Sequence, residues 1–392
     1  MPRFPLGSAP ARTLSDRVYG SLAARAAARG GSVFALNVGD TYREPIEAAR
    51  AERQRTSDHP RLHNYAPVQG EPGLRRAFVE RLRARRRVEL DADELQVMSG
   101  ATAGFAVVAN AILDPGDEVV VLAPFWPLIR GIVALRGATP VQLPFYTRLG
   151  EAGFDPEAAI EAAVTDRTVA IYVNSPNNPT GVVVDDAVAA AIARVAARHD
   201  LWVLADEAYE ELVYEGAAFA PVWARPDLVE RAIVCHTLSK SHGLAGSRIG
   251  FTHGPSAIME AIRGAQTFLT YCAPRPLQLG AEHALREGDG WIAESRALYQ
   301  AAASACAASL GVPAPLAGTF LFFDCARFLA PSDPTSTPFL ERCAEEGVLL
   351  TPGGASGDAY ARWARLCFTA VAPDELDRAL AALRRVVAAR PG

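Results

Sequence analysis

The chain runs to 392 residues, half of them apolar, with a formal net charge of -5. That length favours two domains over one and supplies a large core. The mildly acidic balance gives no reason to expect nucleic acid or an anionic membrane as partner, and no apolar run is long enough to span a bilayer.

In chain order, residues 1–35 open on a Pro- and Arg-rich lead, then show helical spacing from Ser15 to Arg29, and Phe34–Gly39 forms a short extended piece. The first residues lack the apolar run of a signal peptide. Six cysteines are scattered without a C-x-x-C pair, which suits a reducing compartment and free thiols. The chain therefore reads as cytoplasmic and soluble, with no metal site expected. A second helix is predicted from Ile46 to about Arg55. Leu74 to Val88 reads as a stronger one, with Leu74, Phe78 and Leu82 on one stripe. Its arginines, from Arg75 to Arg87, are interleaved or flanked by Glu71, Glu80, Glu89 and Asp91, which points to a solvated face.

Between about 95 and 255 short apolar runs (Leu95–Met98, Val119–Leu122, Thr168–Val173, Trp202–Ala205, Ala232–Cys235, Ile249–His253) alternate with helical segments (Ala103–Leu113, Ala187–Arg198, Glu210–Val213). This pattern predicts an α/β fold whose mostly parallel sheet is covered by helices on both faces. Beyond about 285, Ala-rich helices (Trp291–Leu310, Thr337–Glu346, Pro373–Ala389) alternate with short strands (Thr319–Asp324, Val348–Leu350, Ala364–Thr369), the composition of a smaller α+β domain. The expected division is 1–44 as N-terminal arm and part of the small domain, 45–285 as the large domain, and 286–392 as the small C-terminal domain.

Lys and Arg together number 39, and a single one, Lys240, is a lysine. A guanidinium keeps its proton at ordinary pH and cannot serve as an amine nucleophile. A lysine amine can, once burial or a neighbouring cation lowers its pKa. A GC-rich genome that converts Lys to Arg would leave the same count, so the surroundings decide.

The other candidates mostly follow predicted strands, where ligands of parallel sheets sit. Ser99-Gly100-Ala101-Thr102 closes a strand and opens a helix, offering free N–H groups and a hydroxyl to an anion, although many such turns look the same. Thr237 and Arg248 flank Lys240, and Arg248 either grips a phosphate or makes a surface ion pair. Asp206, at the end of an apolar strand, can cap a helix or hold a cationic ring nitrogen. Asn174–Gly181 either fixes the direction of its Asn side chains through two X-Pro steps or simply turns. Trp126 can stack on a flat cofactor or fill the core. Arg365 sits inside a strand, where a charge needs a partner, and a substrate carboxylate is one. Together these groups make the inventory that pyridoxal phosphate requires: a Schiff-base lysine, an acid for the pyridinium nitrogen and a phosphate pocket.

On these motifs the chain resembles the class I/II aminotransferases, pyridoxal-phosphate enzymes of fold type I like aspartate aminotransferase. Asn174–Gly181 is similar to the family's S/N-x-P-x-N-P-T-G, Asp206–Tyr209 to its D-x-x-Y, and Thr237–Arg248 to its S-x-S-K…G-x-R. The resemblance implies that Lys240 holds pyridoxal 5'-phosphate as the internal aldimine and shuttles the proton. It further implies that Asp206 keeps the ring nitrogen protonated, that Asn178 and Tyr209 bond the phenolic oxygen, and that Trp126 stacks on the ring. Gly100, Ala101, Thr102, Thr237, Ser239 and Arg248 would surround the phosphate. Tyr65 would reach the neighbouring subunit's phosphate, so a homodimer with shared sites is implied. Arg365 would clamp the α-carboxylate with Gly39 and Asn178. The implied activity is ping-pong exchange of an amino group between an L-amino acid and a 2-oxo acid. The alternatives are another reaction of the same cofactor (a C–S β-lyase, a decarboxylase or an oxygen-dependent amino-acid oxidase) and, more remotely, a non-enzymatic regulator domain. For the last, the lead of about thirty-five residues is too short to fold a DNA-binding domain.

The chain departs from the family around the substrate side chain. Asp40–Pro45 replaces a Pro-Asp-Phe-like run, Ser356 stands where a Phe is usual, and Phe268 aligns near an Arg of members that handle aspartate. With Phe125 and Tyr42 close by, an uncharged pocket for an apolar or aromatic amino acid is expected, unless Arg43 or Arg275 swings in.

Overall fold

The computed structural model describes residues 7–12, 14, 20–28 and 31–389. Of the helix expected over Ser15–Arg29, Gly20–Ala28 is helical, while residues 15–19 and 29 lie outside the described set.

The central sheet contains β1 (Gln96–Met98), β2 (Glu118–Ala123), β3 (Thr139–Pro144), β4 (Thr168–Asn174), β5 (Trp202–Asp206), β6 (Ala232–Thr237) and β7 (Gly250–His253). Their order across the sheet is β1-β7-β6-β5-β4-β2-β3. From β6 to β3 every pairing is parallel. β7 runs antiparallel to both its neighbours, because the chain returns from β6 through the Lys240 loop without a crossover helix. Every predicted run in this region is a strand. β3 escaped prediction because Pro140 and Pro144 interrupt its pattern, and the structure places it on the sheet edge, where proline is tolerated.

Alternation along β2 shows why these runs are apolar throughout. Val120 and Leu122 join a core with Leu74, Phe78 and Phe251 on one side, while Val119 and Val121 join Phe105, Tyr172 and Ile233 on the other. A third core ties Phe34 and Leu36 to Phe320, Phe339, Val348, Leu366 and Leu380. Above it, Phe320–Asp324, Trp363–Cys367 and Thr351–Pro352 pair antiparallel, and Phe34–Ala35 pairs parallel with Val348–Leu349.

Several local expectations are corrected. Ile46–Arg55 is two 3₁₀ turns, Glu47–Ala49 and Ala51–Arg53, separated by an extended Arg50. Glu210–Val213 is not helical: the Leu212 carbonyl accepts from the Gly318 amide and Val213 bridges to Ala317, so tertiary pairing takes the backbone groups that a helix would use. Helices Ser256–Leu269 and Arg275–Glu287 had no counterpart in the pattern reading. The arginine-rich helix, Pro72–Arg86, is not a uniformly solvated face. Arg81 is buried and paired with Glu211 and Asp289, and Arg85 shares both partners. No helix among the described residues is long and apolar enough to cross a membrane.

Candidate active site

Residues just beyond β1, β2, β4, β5 and β6 converge on a cavity of ≈ 100 Å³. Ala101, Thr102, Thr237, Ser239 and Arg248 line it together with Trp126, Asn178, Asp206, Tyr209 and Lys240. Larger surface clefts of ≈ 920 and ≈ 540 Å³ lie elsewhere, and of the expected groups only Tyr65 lines either. The donor set marks the site, not the volume.

One part of the cavity is an anion cradle. Helix Gly100–Ile112 starts here with no side chain capping its first amides, which leaves N–H donors and the positive end of the helix dipole free. Gly100 has φ +81°, and a Cβ there would lie 2.4 Å from Arg248 Nη2, so only glycine lets the guanidinium approach the helix start. Arg248 itself holds a left-handed φ of 53°, a conformation that costs a branched-free side chain little but still needs tertiary support. Its Nη1 donates to the Ala245 carbonyl at 2.7 Å and lies 3.5 Å from Ser239 Oγ. Thr237 Oγ1 and Ser239 Oγ are 2.9 Å apart.

Asp206 is buried at the end of β5. Burial pushes its carboxyl up to about 6, against the pull of hydrogen bonds from the Tyr172 hydroxyl and the Ala208 amide. The neighbouring Asn174 donates Nδ2 to the Asp206 carbonyl at 2.9 Å and accepts from the Asn178 amide at 2.6 Å. Asn178 Nδ2 in turn reaches the Tyr209 hydroxyl at 3.4 Å, and Arg365 Nη1 donates to Asn178 Oδ1 at 3.2 Å. A chain of buried polar groups thus runs from Asp206 to Arg365.

Lys240 is half-buried and its Nζ donates to the Gly39 carbonyl. Burial pulls its ammonium below the ordinary lysine range; Arg248 and Arg365 push the same way, while Cys367 and Asp40 oppose them. Arg365 is buried over the Phe320 ring, 4.2 Å from its centroid, with Nη2 on the Asn37 carbonyl and Thr351 Oγ1. Its Nε has no partner among the described residues. Gly39 is fixed by the same ring, because a Cβ there would meet Phe320 at 2.5 Å.

Most residues expected from sequence are therefore brought together, with Gly39, Gly100 and Arg365 bordering the cavity through Lys240, Arg248 and Asn178. Tyr65 is not. It is 81% exposed and meets Tyr271 edge-on at 5.0 Å in the separate ≈ 920 Å³ cleft. Phe268 is 92% exposed near the end of its helix, and Phe125 is fully buried beneath the sheet, so neither side chain reaches the cavity. Tyr42 packs against the third core. Arg43 bonds Ser295, Glu294 and the Trp291 carbonyl, and Arg275 bonds Glu71 and the Arg61 carbonyl. Sequence reasoning missed Tyr172, Asn37 and Thr351. A tyrosine inside an apolar strand carries no motif, and the other two meet Arg365 only through folding.

Behind the cavity, Glu207, Glu210 and His236 place one possible metal-ligating atom each within 4.8 Å of the others. Each is hydrogen-bonded, Glu210 with His236 Nδ1 at 2.9 Å, His236 Nε2 with His253 at 3.1 Å, and Glu207 with Trp223 Nε1 at 3.0 Å, while Glu207 Oε1 has no partner among the described residues.

Fold and site together define a transferase of amino groups, built on a strand-end cavity that holds one lysine, one buried aspartate and an anion cradle. The chain belongs to the aminotransferase class I and II family, whose members use pyridoxal phosphate, and the family matches residues 32–383. It is 36% identical over 299 residues to a probable aspartate/prephenate aminotransferase of Thermus aquaticus, covering 74% of this chain and 75% of that one. It is 30% identical over 350 residues to an arginine–pyruvate transaminase of Pseudomonas aeruginosa, covering 86% of both. Among solved structures, the N-succinyldiaminopimelate aminotransferase of Mycobacterium tuberculosis superposes with a TM-score of 0.87 at 28% identity, over 97% of this chain and 100% of that one. The aspartate aminotransferase of Thermus thermophilus with maleate gives 0.87 and 28%, over 98% and 100%.

Proposed function

We propose that the chain binds pyridoxal 5'-phosphate in this cavity and exchanges an amino group between an apolar or aromatic L-amino acid and a 2-oxo acid, by two half-reactions in one site. The observation that carries this reading is the position of the chain's single lysine, on the same ≈ 100 Å³ cavity as Asp206, Trp126 and Arg248. The donors suit the group. The glycine-floored cradle under Arg248 takes a phosphate, Asp206 takes a cationic ring nitrogen, and the unpartnered Nε of Arg365 is left for a carboxylate.

When bound, the cofactor supplies an electron-poor ring that accepts the electron pair released at the amino acid's Cα. Lys240 is the covalent anchor and the base, and its depressed pKa makes the free amine available to take and return a proton at Nζ. Asp206 keeps the ring nitrogen protonated. Tyr209 and Asn178 would supply donors to the ring's phenolic oxygen, and Trp126 would offer an aromatic surface to the ring. Arg248, Thr237, Ser239 and the amides of Gly100–Thr102 hold the phosphate. Arg365 would take the substrate carboxylate through its unpartnered Nε, with Asn178 and the Gly39 segment beside it.

An uncharged side chain as substrate is supported by the engagement of Arg43 and Arg275 elsewhere. A homodimer with shared sites is supported by the exposed cluster around Tyr65, Leu269 and Tyr271, 81%, 50% and 45% accessible in the single chain; Tyr65 is its contribution to the partner's phosphate. The proposed division keeps 1–44 and 286–392 as arm and small domain around the third core, with 45–285 as the large domain. The free cysteines suit a cytoplasmic setting.

The test is a screen of amino donors against the cofactor-loaded protein, followed by absorbance. Transamination leaves a stable pyridoxamine form that a 2-oxo acid reverses. Release of ammonia, carbon dioxide or peroxide without that form overturns the reading.

A further inference from the structure

One buried polar contact of the site comes from a residue in no motif. Tyr172 lies on β4, two positions before Asn174, and its ring is fully buried. Its hydroxyl donates to Asp206 Oδ2 at 2.5 Å, while Oδ1 accepts from the Ala208 amide at 3.1 Å. The geometry follows from the sheet. Asn174 and Asp206 are Cα partners in the parallel pair β4–β5, and Tyr172 points to the same face two residues earlier. Phe105 meets the Tyr172 ring edge-on at 5.5 Å, away from the hydrogen bonds to Asp206 themselves.

A buried tyrosine hydroxyl needs some acceptor, and packing alone would account for one. Two observations say more. Among the described residues no lysine or arginine forms an ion pair with Asp206, so its charge is held by these two hydrogen bonds and by the field of His236. The phenol is pushed far above its ordinary range by burial and by Asp206, so it remains a donor at every working pH. A carboxylate that lines the cavity and must stay ionised out of water needs donors that never compete for the proton.

We propose that Tyr172 is a positioning residue for the amino-transfer reaction: its hydroxyl aims the Asp206 carboxylate and keeps it ionised, so that the proton stays on the cofactor's ring nitrogen. This rests on the reading of the cavity as a pyridoxal-phosphate site. It assigns to β4 a part in the electronics of the reaction that the strand-end motifs do not reveal. Without the hydroxyl, the carboxyl becomes the more basic partner and draws the proton from the ring.

The experiment loads wild type and Tyr172→Phe with pyridoxal phosphate labelled with ¹⁵N in the ring and reads the nitrogen's chemical shift, alongside cofactor affinity and donor kinetics. The substitution removes one hydroxyl and keeps the ring contacts. In Tyr172→Phe the ring-nitrogen shift should move toward that of neutral pyridine and the cofactor should bind about tenfold more weakly, ~1.4 kcal/mol. kcat should fall about tenfold with KM for the amino donor unchanged. Phe105→Leu, which disturbs packing and spares the hydroxyl, should leave the ring-nitrogen shift where it is in wild type. An unchanged shift in Tyr172→Phe, or an equal change in Phe105→Leu, overturns the inference and leaves the cofactor reading intact. A wild type that holds no labelled cofactor overturns both.

Discussion

The two halves of the cavity are built by different means. The half proposed for the cofactor takes most of its groups from strand ends of one sheet: Gly100 just after β1, Asp206 as the last residue of β5, and Thr237 to Lys240 from the last residue of β6 onward. The carboxylate half is assembled across the molecule. Arg365 belongs to the other sheet, and its hydrogen bonds go to Asn37, Asn178 and Thr351. One half is preorganised by a single rigid layer. The other exists only when segments far apart in sequence are packed together, with Phe320 as the floor beneath both Arg365 and Gly39. On the proposed function, the chemistry that needs fixed electronics falls to the first and the recognition of a substrate that comes and goes falls to the second.

Variants separate the halves. Lys240→Arg should have the largest effect, because the guanidinium stays protonated and cannot bond covalently to the cofactor. Turnover should fall by at least about 10⁴-fold, a barrier increase of roughly 5 kcal/mol, and borohydride should no longer fix the cofactor to the protein. Near wild-type turnover in this variant would remove the basis of the cofactor half altogether. Asp206→Asn should still bind cofactor but lose most activity, since an amide cannot hold the ring proton; removing a preorganised charged group costs on the order of 3 kcal/mol. A loss under about tenfold would make Asp206 a structural cap.

The same residue predicts a pH effect on stability in the cofactor-free protein. Folded Asp206 keeps its proton up to about 6, whereas an ordinary aspartate releases it near 3.8. Between those values the folded state binds more protons than the unfolded chain, so stability falls as pH rises through the window and stays reduced above it. Asp206→Asn lacks this term. In denaturant titrations it should exceed wild type by up to about 3 kcal/mol above pH 7, and the gap should close below pH 4. A gap that widens on acidification would mean that Asp206 is ionised and well solvated in the fold.

Arg365→Lys addresses the other half. A lysine keeps the charge but loses the fork that reaches Asn178, Asn37 and Thr351, so kcat/KM should fall about 100-fold, ~2.7 kcal/mol, with cofactor affinity unchanged. Equal damage to cofactor binding would show that the halves are one unit, coupled through Asn174 and Asn178.

This difference in construction also explains what the sequence reveals. The cofactor residues sit in contiguous motifs at strand ends, where the apolar runs announce the strand and the polar residue after it announces the site. β3 was hidden by its prolines, and the Glu210–Val213 segment by backbone pairing with Ala317 and Gly318 that no local pattern records. Arg365 stood out as a charge in a strand, but its partners did not, because Asn37 and Thr351 become neighbours only after the chain has closed. Tyr172 looked like one more apolar strand residue. Phe125 and Trp126 are adjacent in the loop after a strand, where no alternation rule says which one turns inward: Trp126 lines the cavity while Phe125 is buried in the core.

The smallest expected effect concerns the substrate side chain. Neither Phe268 nor Phe125 reaches the cavity within one chain, so the expected aromatic lining is not what excludes a charged substrate. The proposed exclusion rests instead on the lack of a spare cation at the cavity among the described residues. In the proposed function Lys240, Arg248 and Arg365 serve cofactor and carboxylate, while Arg43 is tied to Ser295 and Glu294 under the Trp291 ring and Arg275 is tied to Glu71. Releasing Arg43 would break a partly buried ion pair and a cation–π contact, a cost that a distal carboxylate would have to exceed. Phenylalanine or methionine should therefore surpass aspartate in kcat/KM by about tenfold, ~1.4 kcal/mol. If aspartate is preferred by that margin, Arg43→Leu separates the causes. Loss of the preference in that variant would mean that Arg43 does swing in, and persistence there and in Arg275→Leu would mean that the cation comes from a second copy of the chain.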